Sequence, residues 1–241
     1  MRRVRPRPPA RPRAHRRRCS GRAAPMIRPT AIVTAGPTLE AIDPVRFLSN
    51  RSSGKQGYAI AAALRDNGFD VTLVSGPVAL DDVAGVTMVR VESALDMLAS
   101  VEGALPADVF VSVAAVSDWR PAETAPRKLK LDKAGLTSLA LVENPDILKT
   151  IAGLAPPRRP RLVVGFAAET HDVAELARQK RVRKGCDWIM ANDVSGDAMG
   201  GAENAALLIT AEGEEVLERA AKSEIAARLA ARISQALARP D

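Results

Sequence analysis

An α/β fold with a mostly parallel sheet, helices on both of its faces and an antiparallel hairpin near the C-terminus is the architecture this sequence predicts. Short apolar runs, some too uniformly apolar for a strand with one face in water, alternate with amphipathic stretches of helical period. Alternation of that kind builds parallel strands into one sheet, with ligands at their carboxyl ends. Towards the end the rhythm breaks into two strand-like runs joined by Glu212-Gly213-Glu214, a hairpin signal.

Ala31-Ile32-Val33 opens the fold as a short buried strand. The connection that follows, Thr34–Gly57 (TAGPTLEAIDPVRFLSNRSSGKQG), is far longer than the roughly 2–6 residues that usually link a strand to a helix. Arg46, Asn50, Arg51, Ser52, Ser53 and Lys55 gather donors there, where a helix N-terminus also attracts anions. It therefore reads as a functional loop. Helix 54–67 stops at Gly68, a natural C-cap, and residues 70–74 (DVTLV) form the next strand. Residues 85–91 (GVTMVRV) are a third strand, 93–100 a helix, and 108–116 (DVFVSVAAV) a fully apolar strand of the buried type. Residues 117–135 (SDWRPAETAPRKLKLDKAG) hold two prolines and a Lys/Arg cluster and read as a mobile flap. Asn144 is the expected N-cap and Pro145 the expected first position of a helix over 147–153. A buried strand at 161–168 (RLVVGFAA), a helix at 173–184 and a strand at 187–191 (DWIMA) come next. The hairpin over 205–211 and 215–218 and an amphipathic helix at 223–238 complete a Rossmann-like plan without internal repeats.

The net charge of +7 misleads. Residues 1–25 contain ten Arg and no acid, leaving 25 Lys+Arg against 28 Asp+Glu in the rest, a balance of −3. The folded part, expected over 26–241, is thus not built to bind nucleic acid. Residues 1–25, with Pro6, Pro8, Pro9, Pro12 and Pro25, are expected to be a disordered Arg/Pro-rich tail. An organelle transit peptide, an arm for anionic surfaces, and a translated upstream region or remnant of a preceding domain all fit it; the last, with Met26 as the true start, is preferred. Cys19 and Cys186 form no paired motif, so neither a disulfide nor a zinc site is implied. No apolar run approaches the roughly 20 residues of a membrane span, and the expected location is cytoplasmic.

Two familiar phosphate motifs fail. Ser53-Gly54-Lys55-Gln56 would need glycine at Ser49 and Ser or Thr at Gln56 to complete a P-loop, and no GxGxxG follows the first strand. What stands out is a joint pattern, TAGPT with EAIDPVRFLSNRSSGKQG, AAVSDW with KLK, ENPDIL, and VVGFAAET with ARQKRVRK and ANDV, in this order. Together these resemble phosphopantothenoylcysteine synthetase, the phosphopantothenate–cysteine ligase of coenzyme A biosynthesis, over about residues 29–238. In bacteria this is usually the C-terminal half of a bifunctional protein that also carries a flavin-dependent decarboxylase. The resemblance implies a reaction in which the carboxylate of 4′-phosphopantothenate attacks the α-phosphate of CTP, giving an acyl-cytidylate and pyrophosphate. Cysteine then displaces CMP to form the amide. It further implies Mg²⁺ arriving with the triphosphate, no dedicated protein metal site, a homodimer, and no flavin in this chain. The competing reading is a nucleic-acid-associated protein acting through the Arg-rich arm.

The resemblance assigns catalytic roles to Asn50, Lys128 and Arg46. Asn50 would donate to the acyl-cytidylate carbonyl, where a lone Asn would otherwise be read as a turn former. Lys128 would close over the reacting phosphate, and Arg46 would orient its loop or bind an anionic group, a surface ion pair being the plainer alternative. The nucleotide positions carry over to Asp118, Lys128, Pro145, Asp146, Ile147, Leu148, Phe166, Lys180 and Lys184. Of these, Lys180 and Lys184 share one helix face. The chain departs from the family at Leu39, commonly basic, and after Lys128-Leu129-Lys130, where the next cation is displaced to Lys133.

Overall fold

The computed structural model describes residues 28–129, 138–169, 171–193 and 203–238. The elements run β1 (Thr30–Ala35), β2 (Glu40–Ala41), β3 (Phe47–Leu48), α1 (Lys55–Asp66), β4 (Asp70–Ser75), β5 (Thr87–Arg90), α2 (Ala94–Gly103), β6 (Val109–Ser112) and β7 (Trp119–Pro121). They continue with β8 (Leu141–Glu143), α3 (Ile147–Ala152), β9 (Leu162–Glu169), α4 (Val173–Lys184), β10 (Trp188–Asp193), β11 (Glu203–Ile209), β12 (Glu214–Ala221) and α5 (Lys222–Leu237). The main sheet has eight strands in the order β12-β11-β10-β9-β6-β1-β4-β5. Strands β10, β9, β6, β1, β4 and β5 are parallel, and β11 and β12 add antiparallel at one edge. The expected mostly parallel sheet with a C-terminal hairpin is therefore what forms.

Alternation along each strand divides the core into two layers. On β1, Ala31, Val33 and Ala35 face a cluster built with Tyr58, Ile60, Ala61 and Leu64 of α1 and Ile225, Leu229 and Ile233 of α5. Ile32 faces the other way, towards Met97 and Val101 of α2, Ile151 of α3 and Ala177 of α4. Ala61, Ala226 and Ala230 are fully buried small residues of α1 and α5, the kind that lets two helices approach closely on one face. Among the described residues no helix is long and apolar enough to cross a membrane.

Helix α2 begins with a capping box, Ser93 accepting from the Asp96 N–H at 3.1 Å while the Asp96 carboxylate accepts from the Ser93 N–H at 3.1 Å. Two expectations at α3 are corrected. Its N-cap is Asp146, which accepts from the Lys149 N–H at 3.0 Å, so Pro145 precedes the cap instead of opening the helix. Asn144 is drawn off to longer-range partners, its amide donating to the Ser117 carbonyl at 2.9 Å. The apolar run 108–116 also stops being strand at Ser112, because the next two N–H groups, of Val113 and Ala114, donate to the Thr34 hydroxyl at 3.2 Å each. Two small ribbons, β2 with β3 and β7 with β8, were not expected. Of the hairpin strands, β11 lies two residues earlier than the predicted segment and β12 runs past its predicted segment at both ends.

Candidate active site at the carboxyl ends of the strands

The long loop after β1 is fastened to the segment after β6, residue by residue. Ala115 donates to the Gly36 carbonyl at 2.9 Å, Thr38 donates to the Ala115 carbonyl at 3.3 Å, and Ser117 donates to the Thr38 hydroxyl at 3.0 Å. Thr34 and Thr38 are both buried, so their hydroxyls take the place of water for backbone groups that have left the sheet. These two threonines, with buried Glu40 accepting from the Ala94 N–H at 3.0 Å, are site-building residues that the sequence reading missed. Only the position of threonine and glutamate beside a long loop could have hinted at them.

Asn50 sits on this frame. Its amide donates to the Ala115 carbonyl and its carbonyl accepts from the Ser52 N–H at 3.0 Å, while the neighbouring Ser49 hydroxyl donates to the Thr38 carbonyl at 2.8 Å. Just beyond, Gly54 adopts φ 74°, the left-handed turn that swings the chain into α1. No side chain caps α1 and no acid lies in its first turn, so its free N–H groups face the same edge of the sheet.

Arg46 is tied down on both sides. Its guanidinium donates to the Asp43 carboxylate through Nε at 2.9 Å and Nη2 at 2.5 Å, and Nη2 also donates to the Leu129 carbonyl at 3.0 Å. It thus ties its own loop to the segment at Leu129, and its ion pair has a buried partner. The guanidinium, supported by backbone N–H groups and opposed by burial, holds the Asp43 carboxyl far below the usual carboxylate range. Lys128 stands one residue before Leu129, exposed, in a segment laid along the Arg46 loop; Ala125 donates to the Ile42 carbonyl at 3.0 Å. Lys130 and Lys133 lie outside the described residues.

On the other side, Asn144 pins residues 117–120 to the start of α3. Its N–H donates to the Asp118 carbonyl at 2.8 Å, and Arg120 donates to its side-chain oxygen at 3.2 Å. Asp118 therefore lies beside the segment Pro145, Asp146, Ile147 and Leu148, its own carboxylate exposed. The Asp146 carboxylate also accepts from the Lys184 ammonium, which joins α3 to the end of α4. Lys180, one turn earlier on α4, is half-buried. Burial pushes its pKa down, Glu169 at the end of β9 opposes that, and the charge of Lys184 adds to it. Lys180 and Lys184 are thus brought together, as their spacing predicts.

Phe166 is placed differently. Leu148 lies over Gly165, where a Cβ would come within 2.6 Å of a Leu148 methyl. Phe166, the next residue of β9, packs half-buried on the opposite layer, with α1 and α5. It and Leu148 approach the strand ends from the two faces of the sheet. Two buried side-chain acceptors without partners, Gln56 Oε1 in α1 and Asn192 Oδ1 at the end of β10, also lie at this end. Gln56 and Asn192 are amides an incoming ligand can satisfy, and neither was assigned a role from sequence. Cys186, by contrast, is a buried thiol pushed up to about 11 by desolvation, so it stays protonated. Among the described residues no three His, Cys, Asp or Glu side chains gather as a metal site.

The chain is similar to known proteins. The model of the family described as "DNA/pantothenate metabolism flavoprotein C-terminal domain" matches residues 27–237. The coenzyme A biosynthesis bifunctional protein CoaBC of Escherichia coli (strain K12) is 48% identical over 191 residues, covering 77% of this chain and 47% of that protein. Its counterpart from Vibrio cholerae serotype O1 is 45% identical over 199 residues, covering 81% and 49%. The chain thus spans about half the length of the curated relatives it matches. The crystal structure of the C-terminal domain of a CoaBC is 38% identical with a TM-score of 0.71, covering 87% of this chain and 95% of that one. From the strand ends that carry the paired loops to the residues matched on either side of them, this chain belongs to the family of the DNA/pantothenate metabolism flavoprotein C-terminal domain.

Proposed function

We propose that this chain is a ligase that joins 4′-phosphopantothenate to L-cysteine through an acyl-cytidylate, converting CTP to CMP and pyrophosphate, in coenzyme A biosynthesis. One observation carries the reading: the Asn50 loop and the segment bearing Lys128 and Asp118 are fastened to each other at the carboxyl ends of the central strands, on the side where Lys184 meets Asp146. The match to 95% of the C-terminal domain of a CoaBC supports it.

A carboxylate attacking a triphosphate meets like-charge repulsion, so catalysis needs fixed positive charge around the phosphates. Lys180 and Lys184 supply it from one wall, Lys128 from the other, and the uncapped start of α1 adds oriented N–H groups. As the carboxylate oxygen bonds to the α-phosphorus, pyrophosphate leaves. The neutral amine of cysteine then attacks the acyl carbon, and Asn50 donates to the oxygen that becomes negative before CMP departs. Mg²⁺ bound to the triphosphate offsets charge on the phosphate oxygens. Exposed Asp118 would be the residue to hold such an ion on the triphosphate.

The molecule is proposed to act as a homodimer. Val45, Phe47, Trp119, Leu141 and Val142 are exposed apolar side chains on or beside the two small ribbons, which pack against each other, and a second copy would cover them. Light scattering at assay concentration is expected to give twice the 25.6 kDa chain mass.

Turnover with CTP and with ATP, followed by the products released, tests the reaction. CMP and pyrophosphate from CTP are expected, and orthophosphate release would overturn the cytidylate step. A chain starting at Met26 is expected to keep full activity. Salt-dependent DNA binding that requires residues 1–25 would instead favour the nucleic-acid reading.

Lys180 gives a further check. Its pKa is lowered in the free protein, and a bound triphosphate favours the charged form, so binding raises it again. Nucleotide binding is therefore expected to take up protons at alkaline pH, and affinity to fall as pH rises through the lowered pKa. Calorimetry in buffers of different ionisation enthalpy measures this uptake, and Lys180→Met is expected to abolish it.

A further inference from the structure

We infer that Asp43 is a positioning residue whose carboxylate sets where the Lys128 ammonium stands, by clamping the peptide next to it onto the Asn50 loop. The inference rests on the assignment of Lys128 to the reacting phosphate and extends it to the residue that holds Lys128 in place.

Asp43 is 3% exposed and one of only two buried carboxylates among the described residues. Its two oxygens do separate work. Oδ1 accepts from the Val45 N–H at 2.8 Å and the Arg46 N–H at 2.9 Å, closing the tight turn through Pro44. Oδ2 accepts from Arg46 Nε at 2.9 Å, Arg46 Nη2 at 2.5 Å and the Leu129 N–H at 3.2 Å. Arg46 Nη2 then donates to the Leu129 carbonyl at 3.0 Å. Both backbone groups of Leu129 are thus held by one ion pair, as a neighbouring strand would hold them, although no strand is there. The Thr124 hydroxyl, donating to the Ala41 carbonyl at 3.2 Å, and the Ala125 N–H, donating to Ile42, extend the dock along the loop.

The consequence is geometric. Lys128 makes no hydrogen bond or ion pair among the described residues, so its side chain can move, yet the residue after it, Leu129, is held through both its N–H and its carbonyl. A lysine anchored this way sweeps a small volume beside the Asp43–Arg46 turn instead of the whole reach of a free loop, and that confinement is what positions a catalytic cation. Burying a carboxylate is costly unless every lone pair is used, and the five donors around Asp43 use them.

Asp43→Asn tests this. An amide has a single acceptor oxygen, so turn and clamp cannot both survive. Trypsin cleavage after Arg127 or Lys128, mapped by mass spectrometry at unchanged melting temperature, is expected to rise about tenfold, as local opening becomes easier. Turnover of the full chain with CTP is expected to fall about tenfold in an otherwise native background and less than twofold in a Lys128→Ala background. Thr124→Val, an exposed change that leaves the core intact, is expected to raise cleavage about twofold and serves if Asp43→Asn does not fold. Unchanged cleavage overturns the clamp whatever the activity. Equal losses of turnover in both backgrounds overturn the positioning role and leave Asp43 merely structural. Absence of CMP release from the unmodified chain would overturn the ligase reading instead, with the cleavage result still deciding the clamp.

Discussion

Asn50→Ala is expected to lower kcat with CTP, cysteine and 4′-phosphopantothenate by about a hundred- to a thousandfold, equivalent to roughly 2.7–4 kcal/mol for one lost oxyanion donor. The amide is held before any substrate arrives: its oxygen accepts from Ser52 and one N–H is taken by Ala115. That leaves the second N–H for the acyl oxygen. Because the ligand oxygen gains its charge only as cysteine attacks, the loss falls on kcat, and the KM for nucleotide stays close to native. Pyrophosphate release in a single turnover is expected to survive while CMP release slows. Asn50→Asp should be at least as damaging, since it sets a carboxylate against the Ala115 carbonyl. Rapid-quench measurement of both products separates the two steps. Equal slowing of both would move Asn50 to the first step.

Gly76→Ala is expected to destabilise the fold by about 3 kcal/mol, the upper part of the range for overpacking. For a chain of this size that lowers the melting temperature by roughly 6–12 °C. The cause is local. A Cβ at Gly76 would stand 1.7 Å from the Pro37 carbonyl oxygen, a backbone atom that cannot step aside alone. Gly76 also donates to the Ala35 carbonyl at 3.0 Å, so the ends of β1 and β4 are locked together where the Asn50 loop departs. The change therefore shifts that loop as well as the melting curve. Gly103→Ala is the control: a Cβ there meets nothing within 4 Å, and no loss of stability is expected. Calorimetry of the three proteins side by side makes the comparison, and matching curves for all three would show that the strand ends yield easily.

Elements with a strong local signal were legible in the residues. The apolar runs that became β1, β4, β6 and β9, the Ser93 start of α2 and the Gly213 turn of the hairpin follow from burial, capping and turn chemistry within a few positions of each other. The shared helix face of Lys180 and Lys184 was legible for the same reason. Asn144 and Asp146 show where that legibility ended. Both are good N-caps by type, and the choice fell to Asp146 because Asn144 is claimed by Ser117, 27 positions away. Ribbons of two or three residues carry no periodicity, so β2, β3, β7 and β8 left no trace in the sequence.

The residues by themselves determined the class of sheet, the order in which strands and helices are laid down, and the two long polar loops to which the chemistry is assigned, since each depends on forces between near neighbours in the chain. Tertiary structure alone decided that Asp43 and Arg46 grip Leu129, 83 positions beyond Arg46, that Ala115 receives the Asn50 amide, and that Phe166 and Leu148 stand on opposite faces. Such contacts arise when an assembled sheet brings distant backbone groups out of water together, and their pairing is set by which donors and acceptors the sheet leaves unsatisfied.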